Sequence, residues 1–122
     1  MVSYNSAHCF ARQGALLRAC PHVIVVDNGS DDGSAQQVSR HLPQARVLAL
    51  PHNLGFGAAN NRGLAQVATP FALLLNPDCD MQPQAIAALL EAARRWPDAA
   101  IVAPQLVEAG GGAEVNYRFA LT

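Results

Sequence analysis

Short, mostly apolar runs alternate with longer amphipathic segments along this chain. Each run is four or five residues long and is followed by residues typical of turns, such as Asn, Asp, Gly, Pro or Ser. Runs of this length with such boundaries are typical of β-strands. The predicted strands are Met1–Tyr4, Val23–Val26, Arg46–Leu50, Phe71–Leu75 and Ala100–Ala103.

Start and stop signals mark the helices between these strands. Ser34 and Gln37 form a potential capping box, and Pro83 suits the first turn of a helix. Pro21 and Pro97 end the helices that precede them. The predicted helices are Ala7–Cys20, Ser34–Leu42, Gly57–Val67 and Pro83–Trp96.

Strands that alternate with helices and are apolar along their length are typical of a parallel sheet covered on both faces. The sequence therefore predicts an α/β fold with three layers, in which a mostly parallel sheet carries helices on both faces. In such sheets, ligands bind outside the carboxyl ends of the strands.

Clusters of polar residues follow three of the predicted strands. They occur in VSYNS (Val2–Ser6), VVDNGSDDGS (Val25–Ser34) and LLLNPDCD (Leu73–Asp80). Turn formation explains the Asn-Gly and Asp-Gly pairs, because they suit positive φ. It does not explain why further carboxylates follow the strand. Because the carboxyl ends of parallel strands share one edge, we expect the three clusters to meet there and form a binding site.

Composition limits the class of protein. The 122 residues have a net charge of −1, with eight Arg and no Lys, so nucleic acid is not expected as a partner. No apolar run approaches the ~18 residues that a transmembrane segment needs. Three cysteines without a C-x-x-C pair indicate a reduced, cytoplasmic protein, and the length suits a single domain over residues 1–122.

Asn76, Asp78 and Asp80 follow the fourth predicted strand at two-residue spacing. Oxygen ligands in this arrangement can hold Mg²⁺ or Mn²⁺ against a diphosphate. The alternative is structural: Asn76 and Asp78 form a turn, and Asp80 caps the next helix. The spacing alone favours the structural alternative, because short acidic motifs have a high false-positive rate.

A glycine-rich segment, Asn53–Gly63, lies at the start of the third predicted helix. Gly55-x-Gly57-x-x-Asn60 nearly matches the dinucleotide fingerprint, and Asp78 follows at about the expected 20 residues. However, Asn60 stands where close helix packing requires Gly or Ala, and the glycines lie too far from the strand for a tight turn. A nicotinamide or flavin site is therefore disfavoured, whereas close approach of this backbone to a nucleotide stays open.

Taken in order, these motifs resemble the family 2 glycosyltransferases of the GT-A fold, and in particular their bacterial rhamnosyltransferase-like branch. The resemblance rests on VSYNS, VVDNGSDDGS, NLGFGAANNRG and LLLNPD, with support from IVAPQL at Ile101–Leu106, and covers nearly the whole chain. It implies the Rossmann-like, nucleotide-binding half of a GT-A domain.

The resemblance also implies the ligands. The donor would be a nucleotide-activated sugar, either a UDP- or a dTDP-sugar, with Tyr4 beside its base. A divalent cation, Mg²⁺ or Mn²⁺, would be held by Asp78, Asp80 and Asn76. The metal motif of the family can be aligned either with Asn76-x-Asp78 or with Asp78-x-Asp80, and Asp78 belongs to both alignments. The nucleotide-binding residues implied are Ser3, Tyr4, Asn5, Asp27, Asn28, Gly29, Ser30, Asn53, Gly55, Gly57 and Asn60.

Two positions depart from the family pattern. Asn28 stands where many members carry a second Asp, and Asn60 stands where many carry Arg. An amide oxygen can still accept a hydrogen bond from a pyrimidine N–H, so we expect binding with altered selectivity. Tyr4 taken alone is better explained as a half-buried residue at the rim of the sheet.

The function expected from the resemblance is inverting glycosyl transfer to a glycan or lipid-linked glycan, in the synthesis of bacterial cell-surface polysaccharide. The expected location is cytoplasmic, at the inner face of the membrane for a full-length protein. Compared with the family, the sequence is interpreted as truncated at both ends. An inverting transfer needs a base, and none can be assigned from the sequence. Glu108 and Glu114 are the acids that follow Asp98, and neither is identified as this base. Donor binding without transfer is therefore expected. The alternative is a non-catalytic nucleotide-binding or interaction module.

Overall fold

The computed structural model describes residues 1–106 and Gly111. The chain divides into two compact units, Met1–Met81 and Gln82–Thr122. The single domain expected over residues 1–122 stays a prediction. The first unit contains β1 (Val2–Ser3), a 3₁₀ turn (Ala7–Cys9), α1 (Phe10–Leu17), β2 (Ile24–Asp27), α2 (Ser34–His41), β3 (Arg46–Ala49) and α3 (Phe56–Leu64).

The three strands form one parallel sheet in the order β1-β2-β3. Each strand is followed by a helical connection that returns the chain to the opposite end of the sheet, as parallel pairing requires. Ser3, Asp27 and Ala49 lie in one row across the sheet, and each is the last residue of its strand. The carboxyl ends therefore share one edge, and the predicted α/β class is confirmed.

The alternation of side chains along β2 divides the core between the two faces of the sheet. Val25 is fully buried in a cluster with Phe10 of α1 and Val38 of α2. Val26 belongs to a second cluster, which contains Ala59 of α3. Helices therefore cover both faces of the sheet, in agreement with the predicted three layers.

The predicted helices are present, and their boundaries differ from the predicted ones by up to three residues. The largest differences are at the ends of α1 and α3, where the chain continues as turns with i→i−3 hydrogen bonds. Cys20 N–H donates to the Leu17 carbonyl and Gln66 N–H to the Gly63 carbonyl. None of the helices in the described part of the chain is long and apolar enough to cross a membrane.

The prediction of a strand at Phe71–Leu75 is wrong, because this segment pairs with no strand of the sheet. A parallel strand needs a neighbour of similar length, and β1 presents a free edge of only two residues. Leu75 is buried in the core, whereas Phe71 and Leu74 are exposed. The segment lines an apolar cavity of about 590 Å³ near the amino ends of the strands, away from the predicted site.

The second unit contains α4 (Pro83–Arg95). Pro83 lies in its first turn and Arg94 in its last, as the sequence predicts. The predicted strand at Ala100–Ala103 is wrong: these residues form no strand, and Ile101 is 86% exposed. The part of this unit that the structure describes contains no strand with which this segment could pair.

The loops that follow β2 and β3 meet backbone to backbone at Gly29. This residue has a φ of +78°, which L-residues with a side chain rarely adopt. A Cβ atom at this position would lie 2.6 Å from the main-chain carbonyl carbon of His52. Both the conformation and the available space therefore require glycine.

We expect Gly29→Ala to lower the free energy of unfolding by about 1–3 kcal/mol, because the methyl group both strains φ and displaces the neighbouring loop. Urea unfolding followed by circular dichroism measures this change. Gly57→Ala is the matched control, since nothing lies within 4 Å of a Cβ atom in that position of α3. Alanine there should be neutral or stabilise by about 0.5–1 kcal/mol. A Gly29→Ala protein as stable as wild type would contradict the close approach of the two loops.

Candidate functional site

The loops at the carboxyl edge of the sheet surround a cleft of about 430 Å³, within the range of small-molecule sites. Each of the three polar clusters predicted to meet there contributes to its walls. The predicted site residues that line the cleft are Tyr4, Asn28, Asn53, Gly55, Asn76 and Asp78. The remaining predicted residues lie behind or beside it, where several of them hold its walls in place.

Asn5 joins the loop after β1 to the loop after β2. Its N–H donates to Ser30 Oγ (3.0 Å), and its side-chain Oδ1 accepts from the N–H of Asp31 (3.1 Å). Asn5 has a φ of +49°, in the left-handed region that Asn tolerates better than most residues. Ser30 in turn donates to the buried carboxylate of Asp27. Asp27 and Ser30 therefore support the loop from behind the cleft.

The same two loops are joined again where the chain enters the 3₁₀ turn. Ser6 N–H donates to Ser34 Oγ (2.9 Å), and Ala7 N–H donates to Asp32 Oδ2 (2.9 Å). Asp32 Oδ1 accepts from both the N–H and the hydroxyl of Ser34, at 2.9 and 2.6 Å. These donors would otherwise be unpaired N–H groups at the start of a helical segment.

Asp32 is therefore a carboxylate whose charged form the fold stabilises. The hydrogen bond from the Ser34 hydroxyl is the main cause that lowers its pKa below the ordinary value. Desolvation opposes this effect, and the N–H donors of Ala7 and Ser34 add to the lowering.

The predicted capping box at Ser34 and Gln37 is wrong. Gly33, with a φ of +83°, is the N-cap of α2, and Gln37 N–H donates to its carbonyl oxygen. The Ser34 hydroxyl is used instead between the two loops, because it accepts from one and donates within the other.

Asn28 is buried, and its side-chain amide connects the loop after β2 to the loop after β3. Its Nδ2 donates to Asn53 Oδ1 (2.8 Å), and its Oδ1 accepts from the N–H of Leu54 (2.9 Å). Asn53 Oδ1 also accepts from the N–H of Gly55 (2.8 Å). The amide predicted to face a nucleotide therefore shapes the Asn53–Gly55 segment that borders the cleft.

The chain enters α3 through Gly55, which has a φ of +84° and a ψ of 161°, a conformation open essentially to glycine alone. This turn places Phe56 at the cleft, where the residue is 58% exposed. Asn60 is buried, donates from Nδ2 to the Phe56 carbonyl (3.0 Å) and borders the apolar cavity instead of the cleft. Gly57 lies on the exposed surface of α3. Nucleotide binding by Asn60 and Gly57 stays a prediction.

Ser3 and Gly29 also lie behind the cleft. Ser3 is fully buried at the end of β1, and its hydroxyl has no hydrogen-bond partner among the described residues. Gly29 is half-buried against the loop after β3, where it sets the separation of two cleft walls. Neither residue lines the cleft, so their contribution is to its shape.

Two of the three predicted metal ligands border the cleft. Asp78 and Asn76 are exposed and line the cleft, whereas Asp80 Oδ1 forms an ion pair with Arg12 Nε at 3.0 Å. Within residues 1–106 and Gly111, no group of three or more His, Cys, Asp or Glu is arranged to hold a metal ion. Mg²⁺ sites at phosphates usually need only one or two carboxylates, because phosphate and water complete the shell. Asp78 and Asn76 fit a cation shared with a diphosphate.

Two cysteines lie near these groups. Cys9 borders the cleft, and Cys79 follows Asp78 directly. Burial is the main cause that raises the pKa of each thiol, and the charge of Asp78 adds to it. These effects disfavour the thiolate, which is the reactive form of a cysteine.

His8 and Phe56 line the cleft although the sequence argument did not select them. Phe56 lies between two selected glycines of the motif NLGFGAANNRG, so a signal for it was present in the sequence. His8 carries no such signal, because the 3₁₀ turn at Ala7–Cys9 is what brings it to the cleft.

The cleft lies at the carboxyl edge of a parallel sheet, which is where α/β folds of this kind bind their ligands. The model of the family "Glycosyl transferase family 2" matches residues 3–119, and the chain belongs to this family of glycosyltransferases. The family predicted from the four motifs is therefore confirmed.

Two curated relatives come from Mycobacterium tuberculosis, strains CDC 1551 / Oshkosh and ATCC 25618 / H37Rv. Each is an N-acetylglucosaminyl-diphospho-decaprenol L-rhamnosyltransferase. The chain is 36% identical to each over 107 residues, which cover 79% of this chain and 35% of the relative. The chain thus spans about a third of the length of these relatives, and the rhamnosyltransferase-like resemblance is confirmed. The comparison with solved structures gave no match.

Because the fold lowers the pKa of Asp32, the contribution of this residue to stability depends on pH. The contribution is complete above about pH 4, where the carboxyl group is ionised in the unfolded chain as well, and is lost as pH falls through the lower folded pKa. We therefore expect Asp32→Asn to be less stable than wild type at neutral pH, with a difference that shrinks in acid. Urea unfolding across this pH range measures the difference.

Asp31→Asn is the control for this prediction, since Asp31 joins the network through its main-chain N–H. Its unfolding free energy should follow that of wild type across the pH range. A difference between wild type and Asp32→Asn that grows as pH falls would contradict the assigned role of the carboxylate.

Proposed function

We propose that this chain is the donor-binding portion of an inverting glycosyltransferase that takes a pyrimidine nucleotide sugar together with Mg²⁺ or Mn²⁺. The observation that carries the proposal is the cleft at the carboxyl edge of the sheet, where Asp78 and two exposed aromatic side chains border the same space. Family membership supports the reaction class, glycosyl transfer.

Tyr4 and Phe56 are the proposed contacts of the nucleobase. Both line the cleft, and the two residues are 49% and 58% exposed. Aromatic rings that stay exposed beside polar groups suit a flat heterocycle, which can stack on one face and present its polar edge to amides. Asn53, which the buried Asn28 amide holds in place, supplies such an amide in the neighbouring wall.

Asp78 and Asn76 are the proposed ligands of the cation. The described walls of the cleft contain no Arg or Lys, so they offer a diphosphate little positive charge. A divalent cation held by Asp78 would supply that charge and offset the negative charge that develops on the leaving nucleoside diphosphate. The protein contributes two oxygen ligands, the charged carboxylate of Asp78 and the neutral amide oxygen of Asn76.

For the donor we propose a UDP- or dTDP-sugar, and for the acceptor a lipid-linked glycan used in cell-surface polysaccharide synthesis. The names of the Mycobacterium tuberculosis relatives support this, because they specify L-rhamnosyl transfer and a decaprenol-linked acceptor. A lipid-linked acceptor in turn supports a place at the cytoplasmic face of the membrane for the complete enzyme.

An inverting transfer also requires a base that takes the proton of the acceptor hydroxyl. Asp78 is the one carboxylate on the described walls of the cleft, and it is assigned to the cation. Glu108 and Glu114, the acids considered from the sequence, lie outside the described residues. We therefore propose donor binding without sugar transfer as the activity of this chain by itself.

We expect UDP or dTDP to raise the Tm of this chain, and to raise it more with Mn²⁺ than without it. At about 100 times its Kd, a ligand adds about 2.7 kcal/mol to the free energy of unfolding. Mn²⁺ alone should give little shift, because the protein supplies too few ligands by itself. Differential scanning fluorimetry measures all three conditions. NAD is the control ligand, and equal shifts with NAD and UDP would overturn the proposal.

Asp78→Asn should abolish the Mn²⁺-dependent part of this shift, because it removes the charged ligand from the cleft. Asp80→Asn is the matched control and should keep most of it, since Asp80 is paired with Arg12 and does not line the cleft. Both replacements preserve side-chain size. If Asp80→Asn proves the more damaging change, the cation is held by Asp80 and our assignment is wrong.

A further inference from the structure

The segment that carries Asp78 is held by side chains of α1. Residues 77–80 form no helix or strand, yet three consecutive carbonyl groups accept hydrogen bonds from this helix. Gln13 Nε2 donates to the carbonyls of Pro77 (3.0 Å) and Cys79, and Arg12 Nη2 donates to that of Asp78 (2.9 Å). The two donors are neighbours in sequence and lie more than 60 residues from the segment that they hold.

Gln13 is the stronger of the two anchors. It is 2% exposed, whereas the Arg12 side chain is 54% exposed, and its ion pair with Asp80 therefore contributes little net energy. Gln13 Nε2 donates to two carbonyls, and a primary amide has two N–H groups with which to do so. If the segment moved away, the buried Gln13 amide would be left without acceptors, which would destabilise the fold. The two hydrogen bonds therefore hold the segment in place.

The position of Gln13 in α1 shows that packing alone does not require it. The buried residues of the helix are Phe10, Gln13, Gly14 and Leu17, which form the core-facing stripe. An apolar side chain would suit the stripe equally well. The amide instead reaches the one cleft wall that is not tied to the end of a strand.

We propose that Gln13 is a positioning residue for the cation site: by fixing the main chain of residues 77–79, it holds the Asp78 carboxylate toward the cleft. This inference rests on the proposed function, because it assigns Asp78 to the cation. Gln13 itself does not line the cleft, so it acts through the segment that it anchors.

Gln13→Met tests the inference, because methionine keeps the length and burial of the side chain but has no N–H donor. Gln44→Met is the matched control: Gln44 Nε2 also donates to a distant carbonyl, that of Leu17 (3.1 Å), but not in this segment. Gln13→Asn is a second variant, which keeps a polar amide one methylene too short to reach both carbonyls.

Two measurements on the whole chain separate positioning from stability. Hydrogen–deuterium exchange of residues 76–80 should rise about tenfold in both Gln13 variants, with β2 still protected, and should stay unchanged in Gln44→Met. The factor by which Mn²⁺ strengthens UDP binding should fall about tenfold in the Gln13 variants. Binding of uridine, which lacks phosphates, should be the same in all the proteins.

The outcomes distinguish the inference from the proposed function. Unchanged exchange in residues 76–80 of both Gln13 variants overturns the inference, whether or not the chain binds UDP. Raised exchange with an undiminished Mn²⁺ effect also overturns it, because the segment would then move without consequence for the cation. If wild type itself shows no Mn²⁺-dependent UDP binding, the proposed function fails, while raised exchange still establishes Gln13 as the anchor of the segment.

Discussion

The hydrogen bonds between the loop after β1 and the loop after β2 are the interaction on which the rest of the site depends. The two strands end side by side in parallel register, so the loops leave the sheet at the same level. Three successive N–H groups, those of Asn5, Ser6 and Ala7, then donate to side-chain oxygens of the second loop. Without these acceptors, the entry into the helical segment before α1 would have unpaired donors, and two walls of the cleft would separate.

This network explains why so many polar residues follow β2. The carboxylates of Asp27 and Asp32 accept hydrogen bonds within the protein, and the Asn28 amide shapes the next loop. Ionised acceptors make stronger hydrogen bonds than neutral ones, which suits loops that lack regular structure. Tyr4 and Asp78 border the cleft and accept or donate none of the side-chain hydrogen bonds that join these loops in the described part of the chain, whereas Asp27 and Asp32 support the loops from behind.

The wall that carries Asp78 is held differently from the others. The loops after β1, β2 and β3 extend paired strands, whereas the Asp78 segment follows Phe71–Leu75, which forms no strand. Its position is therefore set by α1, whose side chains hold its carbonyl groups. One helical segment thus contacts two walls, because Ala7 at its start binds the loop after β2 and Gln13 in its middle binds the Asp78 segment.

The amino-acid sequence was enough to predict the α/β class, the helices and the edge of the sheet where the polar clusters meet. These follow from hydrophobic periodicity and turn chemistry, which act over a few neighbouring residues. The motifs also determined the family and pointed to Asp78. Only the tertiary structure shows whether Phe71–Leu75 becomes a strand, because a strand requires a neighbour whose free edge is of similar length. It also decided that Asp80 faces Arg12 and that Asn28 faces the Asn53 loop, since those partners come from distant parts of the chain.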